Sequence, residues 1–142
     1  MANTQKFQSV ALKDATLLQI GDAKMSGVVC GMNLPMFYKT NHSATLNKEL
    51  RQYCSIHCLA EDLGKGLALE NIQVVDVESL KFIDAKKAFY VVGSRQKGTM
   101  SETSKYAFEK LPHAKSFAKK YGGEIMGFNE ALLLAKKDFT KK

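Results

Sequence analysis

The stretch Q-Y-C-S-I-H-C-L-A-E-D-L-G-K-G, residues 52–66, decides how this chain is read. Ile56, Leu59 and Leu63 recur at i, i+3 and i+7, which is the spacing of one apolar helix face. Ser55 stands where an N-cap is wanted, and Gly64 and Gly66 end the helix. Working outward, S-A-T-L-N (43–47) alternates small and apolar residues as a short strand. Residues 51–54 pair back on it through a hairpin tip at Lys48-Glu49-Leu50, and I-Q-V-V-D-V (72–77) supplies a further strand.

The second half repeats that order. F-I-D-A (82–85) leads into a strand at 88–92, then a polar loop at 93–103 carrying the isolated Met100, then a returning strand at 106–108. Pro112 starts a helix that Gly122-Gly123 stop. Residues 124–128 form a last strand, and Asn129 caps the closing helix, E-A-L-L-L-A-K-K. Upstream, 1–13 is a loose arm, D-A-T-L-L-Q-I (14–20) a strand, and 25–38 an irregular loop holding Gly27, Gly31, Asn33 and Pro35. Each half thus reads as a loop with methionine, strand, strand, helix, strand, over roughly 30–77 and 85–128. The expected fold class is α+β: two small similar lobes packed together. The expected organisation is an arm and strand at 1–29, a first, metal-binding lobe at 30–80 and a second lobe at 81–142.

Composition fits that size. The 142 residues are 45% apolar and 25% charged, with ten Gly and two Pro. These values exclude disordered, fibrous and collagen-like chains. A chain of this length buries roughly two thirds of its unfolded surface, enough to fold without staples. The longest apolar run, A-L-L-L-A (131–135), is far below the ~18 residues of a membrane span. Residues 1–13 carry no apolar signal core, so the chain reads as soluble, with any leader removed. The net charge is +7 and the pI near 9.3. The basic groups are scattered, at Lys86-Lys87, Arg95, Lys97 and Lys119-Lys120, or gathered at the C-terminal end. No basic stripe is interleaved with aromatics, so no nucleic-acid partner is expected.

Chemistry concentrates in the thiols. Three cysteines cannot make a complete disulfide framework within one chain. Cys30, Met32, Met36, Cys54 and Cys58 fall within 29 residues, in the pattern Cys30-x23-Cys54-x3-Cys58. With a helix starting near Ser55, Cys54 and Cys58 converge at its first turn, where backbone N–H groups favour the thiolate, the metal-binding form. Cys30 arrives from a Gly-rich loop, and His57 is a further ligand or a hydrogen-bond partner. The arrangement is like a treble clef, in which a knuckle and a helix N-terminus share one metal. A buried core role and a reactive thiol are the competing readings. A zinc knuckle would carry a cysteine where Gly27 stands, so a tetrahedral site needs His57, His42 or a carboxylate as fourth ligand. Thioethers are poor zinc ligands and good Cu(I) ligands. Met32, and more weakly Met36 and Met100, therefore favour a soft monovalent ion. Met25 and Met126 read as core, and His113 as an exposed helix residue. No G-x-S-x-G, P-loop, H-E-x-x-H or G-x-G-x-x-G occurs, so no catalytic residue is assigned.

The runs C-G-M-N-L-P-M-F-Y (30–38), Q-Y-C-S-I-H-C-L-A-E-D (52–62), F-I-D-A-K-K-A-F-Y-V-V-G-S (82–94), G-T-M-S (98–101) and A-K-S-F-A-K-K-Y-G-G-E-I-M-G-F (114–128), in this order, resemble the NosL family, accessory proteins of nitrous oxide reductase. The first half also resembles the TRASH and YHS metal-binding modules. The resemblance implies a periplasmic Cu(I) metallochaperone, often lipid-tethered, that supplies copper for a copper–sulfur cluster. Its partners would be nitrous oxide reductase or its assembly machinery. It also implies two α+β lobes related to those of organomercurial lyase. The family's C-G-M falls on Cys30-Gly31-Met32 and its second-half methionine on Met100. Many members carry C-x2-C-G-M; here Gly27 takes the first position, which removes a lipid anchor from that site. The C-S-I-H-C phrase is richer in ligands than the usual member's.

The leading expectation is a Cu(I) carrier and not an enzyme: Cys54 and Cys58 clamp the ion, Cys30 closes the site, and Met32 or Met100 adds a labile thioether. The alternatives are a zinc-stapled interaction domain and an organomercurial-lyase-like thiol enzyme using Cys54 or Cys58.

Overall fold

The computed structural model describes residues 9–19, 24, 26–27, 33–94 and 104–138. The first lobe holds β1 (His42–Leu46), β2 (Glu49–Tyr53), α1 (Ile56–Gly64), β3 (Glu70–Val75) and β4 (Phe82–Asp84). The second holds β5 (Phe89–Val92), β6 (Lys105–Phe108), α2 (Leu111–Tyr121), β7 (Glu124–Met126) and α3 (Phe128–Asp138). The sheets are antiparallel, in the orders β2-β1-β3-β4 and β6-β5-β7. The expected repetition is real at the level of topology. β1 and β5 are each flanked by the next two strands of their lobe, and α1 and α2 each connect the flanking strands. The α+β, two-lobed class stands.

Several local readings shift. The hairpin turns at Asn47-Lys48, one residue earlier than expected, with Leu46 opposite Glu49. Both turn residues have positive φ, 50° and 70°, as a two-residue turn matching the strand twist requires, and Asn tolerates that region. β3 stops at Val75 because the buried Asp76 turns the chain, its carboxylate accepting from the N–H of Ser79 and of Glu109. Asn129 lies inside α3. The helix starts at Phe128, its first bond running from Ala131 N–H to the Gly127 carbonyl, while Glu130 reaches back to Gly127 N–H.

The strand expected over 14–20 is absent among the described residues. Leu12–Asp14 is a 3₁₀ turn, and 15–19 joins no ladder. Its backbone is met by side chains instead. Thr16 N–H donates to Tyr38 Oη (3.0 Å), Leu18 N–H to Gln52 Oε1 (2.9 Å), and Gln52 Nε2 donates to the Thr16 carbonyl (3.0 Å). Gln52 Nε2 also reaches Asn41 Oδ1 (2.9 Å), and Gln52 N–H donates to Gln19 Oε1 (2.8 Å). Buried amides do here what a neighbouring strand would otherwise do.

Alternation along the second sheet divides the core. Tyr90, Val92 and Ala107 pack toward the first lobe with Ile56, Cys58, Leu59 and Ala60 of α1 and Phe128, Ala131 and Ala135 of α3. Val91, Tyr106 and Phe108 face the other way and take Ala114 and Phe117 of α2. The Phe117 ring lies 5.1 Å from Phe108 and 5.6 Å from Tyr106, centroid to centroid. α1 and α3 are therefore held between the sheets, and α2 covers the outer face of the second. No helix among the described residues is long and apolar enough to cross a membrane.

Candidate metal centre

β2 runs directly into α1 through Cys54 and Ser55. Ser55 has extended backbone (φ −159°, ψ 170°) and is the N-cap, as expected, although its hydroxyl makes no cap bond and meets no partner among the described residues. Cys54 thus precedes the cap, and Cys58 is the third helical residue. One turn of helix brings their sulfurs to 3.4 Å. Both are buried, 0% and 2% exposed, and no covalent bond joins them, since a disulfide needs about 2.05 Å. The two cysteines flank a helix start, whose partial positive charge favours thiolate.

Two thiolates at this spacing can share one soft ion. With metal–sulfur bonds of about 2.3 Å, a tetrahedral or trigonal ion needs its sulfurs about 3.8–4.0 Å apart. A few tenths of an ångström of opening suffices.

Of the other expected ligands, His57 is buried on the same turn, about 100° around the helix from Cys58. Among the described residues no three His, Cys, Asp or Glu side chains gather closely enough to hold an ion, so His57 does not complete a triad with the two sulfurs. Cys30, Met32 and Met100 lie outside the described residues. The flanks of the Cys30 loop are in view. Ser26 and Asn33 form an antiparallel bridge, and Gln19 Nε2 donates to the Ser26 carbonyl at 2.8 Å. The 3₁₀ turn that follows, Pro35–Thr40, is fixed to the thiol segment: Thr40 Oγ1 donates to the Cys54 carbonyl at 2.6 Å. Met36 is 49% exposed, Met126 borders the main core cluster, and His113 is half-buried, more covered than expected.

His42 is not open to a ligand. Its Nδ1–H donates to the Thr40 carbonyl (3.0 Å), which leaves Nε2 to accept from Tyr90 Oη (2.8 Å). The two rings stack at 5.9 Å. Burial pulls the imidazole down to about 4 and pushes the Tyr90 phenol well above its ordinary value. This neutral pair ties β1 to β5.

Sequence reasoning missed the group that fixes α1. Asp62, 1% exposed, accepts at one oxygen from Tyr53 Oη (2.7 Å), Arg51 Nη2 (2.7 Å) and Arg51 Nε (3.0 Å). Burial, then the bond to Asp62, raises the Tyr53 phenol. The signal was present in Arg51-x-Tyr53: both project from one face of β2 toward the helix. Asp62→Ala is expected to cost about 2 kcal/mol, read as a lower urea midpoint at unchanged slope. The cost stays below that of breaking a fully buried pair because the Arg51 side chain is 27% exposed and recovers water.

The NosL family profile matches residues 19–132 of this chain. A copper-binding lipoprotein NosL of Stutzerimonas stutzeri is 32% identical in an alignment of 116 residues that covers 72% of this chain and 59% of that protein. The chain therefore spans about three fifths of the length of that relative. The crystal structure of the copper chaperone NosL from Shewanella denitrificans superposes with a TM-score of 0.62 at 25% identity, covering 79% of this chain and 92% of that one. Its fold is the α+β arrangement described above. On the family match and the identity together, this chain belongs to the NosL family.

Proposed function

We propose that this protein is a Cu(I)-binding metallochaperone. The observation that carries the reading is the buried Cys54–Cys58 pair, 3.4 Å apart at the start of α1. The copper-binding relatives support it. Copper is cargo here. Cys54 and Cys58 hold it, Cys30 closes the site from its loop, and Met32 or Met100 adds a thioether weak enough to let the ion leave. His57, which does not gather with the two sulfurs, serves as a hydrogen-bond partner to a ligand. Residues 30–80 act as the metal-binding lobe, with β4 (Phe82–Asp84) completing its sheet, and the remainder of 81–142 as the second lobe. The protein performs no catalysis. It works in the periplasm, tethered at a membrane, and delivers copper to nitrous oxide reductase or its assembly machinery.

Anaerobic reconstitution tests this. The expected product holds one Cu(I) per chain in a shell that X-ray absorption reads as sulfur-dominated, and excess zinc does not displace it. Protein that sheds Cu(I) to a weak chelator, while keeping tightly bound zinc and unfolding on its removal, would instead be a zinc-stapled domain.

A further inference from the structure

We propose that the outer face of α2 is a docking surface for an anionic lipid membrane. The charge of this chain is divided unevenly. Residues 1–80 carry seven Lys or Arg against eight Asp or Glu; residues 81–142 carry fourteen against six. All of the net positive charge, +7 over the chain, therefore belongs to the second half. Within it, α2 is the helix without an acidic residue. Its exposed positions are Pro112, Lys115, Ser116, Lys119 and Lys120, which fall at i, i+3, i+4, i+7 and i+8 and so share one face. The opposite face is spent on the sheet through Ala114 and Phe117.

The placement of that face is set by the sheet. α2 covers the side bearing Val91, Tyr106 and Phe108, whereas Cys54 and Cys58 belong to the cluster on the other side, with Tyr90 and Val92. A surface bound through α2 leaves the thiol-bearing lobe pointing away from it.

The kind of cation chooses the occupant. The chain has nineteen lysines and two arginines, Arg51 and Arg95, and the α2 face is lysine alone. Protein interfaces are enriched in Arg and depleted of Lys, because a planar guanidinium makes directed, bidentate bonds. A lysine on a flexible stem matches the diffuse charge of anionic headgroups, which needs no fixed geometry. Tyr121, at the end of the helix, packs on Phe117 of the sheet-facing side at 4.8 Å between ring centres, so the outer face is defined by the lysines alone. The docking rests on the tethered-carrier reading for one point, that a bilayer lies within reach.

The test uses the full chain and sedimentation with vesicles. Vesicles of phosphatidylcholine with phosphatidylglycerol should bind it, and pure phosphatidylcholine should not. Raising the salt from about 0.05 M to about 0.5 M should release it. The variant Lys115→Gln/Lys119→Gln/Lys120→Gln should lose about 100-fold in partitioning at an unchanged melting temperature. Lys48→Gln/Lys65→Gln, on the first lobe, should bind as wild type does. Equal binding to both vesicle types, binding to neither, or a triple variant that binds like wild type would overturn the proposal. Retention on immobilised polyglutamate without vesicle binding would overturn it too, in favour of an acidic protein partner. Cu(I) loading is measured beside it. Vesicle binding without copper uptake faults the metallochaperone reading and leaves the docking surface standing.

Discussion

Replacing Cys54 and Cys58 together with alanine is expected to weaken Cu(I) binding by more than about 100-fold, measured anaerobically against a competing chelator. Loss of an outer partner of a ligand already costs 10–100-fold, and here two ligands go at once. The sulfurs are 3.4 Å apart and buried, so water cannot take their place on the ion without opening the core. Each single variant should fall between wild type and the double, since one thiolate with Cys30 or a methionine still offers two soft donors. Alanine suits the test better than serine. It removes about one sulfur's volume at about 1 kcal/mol each, whereas a buried hydroxyl beside Ser55 Oγ, which has no partner among the described residues, would add a further desolvation cost. Circular dichroism and the melting midpoint check that the fold remains. A double variant that binds Cu(I) like wild type ends the proposed site.

The second large effect is a loss of stability in acid. Free imidazole titrates near 6.5, but in the folded chain burial holds His42 down to about 4. Above pH 6.5 the residue is neutral both folded and unfolded and contributes no slope. Between 6.5 and 4 the unfolded chain takes up a proton that the folded chain refuses, so stability falls as the pH falls and the loss levels off below 4. The linkage amounts to about 2–3 kcal/mol between pH 7 and pH 4.5. Urea unfolding at the two values measures it. His42→Gln keeps a polar group beside Tyr90 and removes the titration, so that share of the difference should vanish. A variant with the wild-type pH dependence would show that His42 charges in the folded state, which its bonds to Thr40 and Tyr90 argue against. The same protonation acts on the contact between β1 and β5, so acid weakens the junction of the lobes first.

Much of this was legible in the residues. Ile56, Leu59 and Leu63 announced α1, Ser55 its cap and Gly122 the stop of α2, because each depends on spacing or on one residue's backbone preference. The repeat of strand, strand, helix, strand followed from reading these in order. The Cys54–Cys58 convergence was legible for the same reason: four residues across a helix start fix a short distance whatever the remainder of the chain does. The segment at 14–20 misled because D-A-T-L-L-Q-I has a strand's composition, while Gln52, Gln19 and Tyr38, distant in sequence, satisfy its backbone.

By itself, then, the sequence determined the elements, their order, the family and the pairing of two thiols, all consequences of short-range periodicity and local dihedral preference. Only the tertiary structure decided which faces meet: that His42 is locked against Tyr90 rather than offered to a metal, that Asp62 pins α1 to β2, and that α2 turns its lysines away from the thiols. These are contacts between groups 9 to 48 residues apart. Sheet order and side-chain alternation create them, and no local window of the chain contains them.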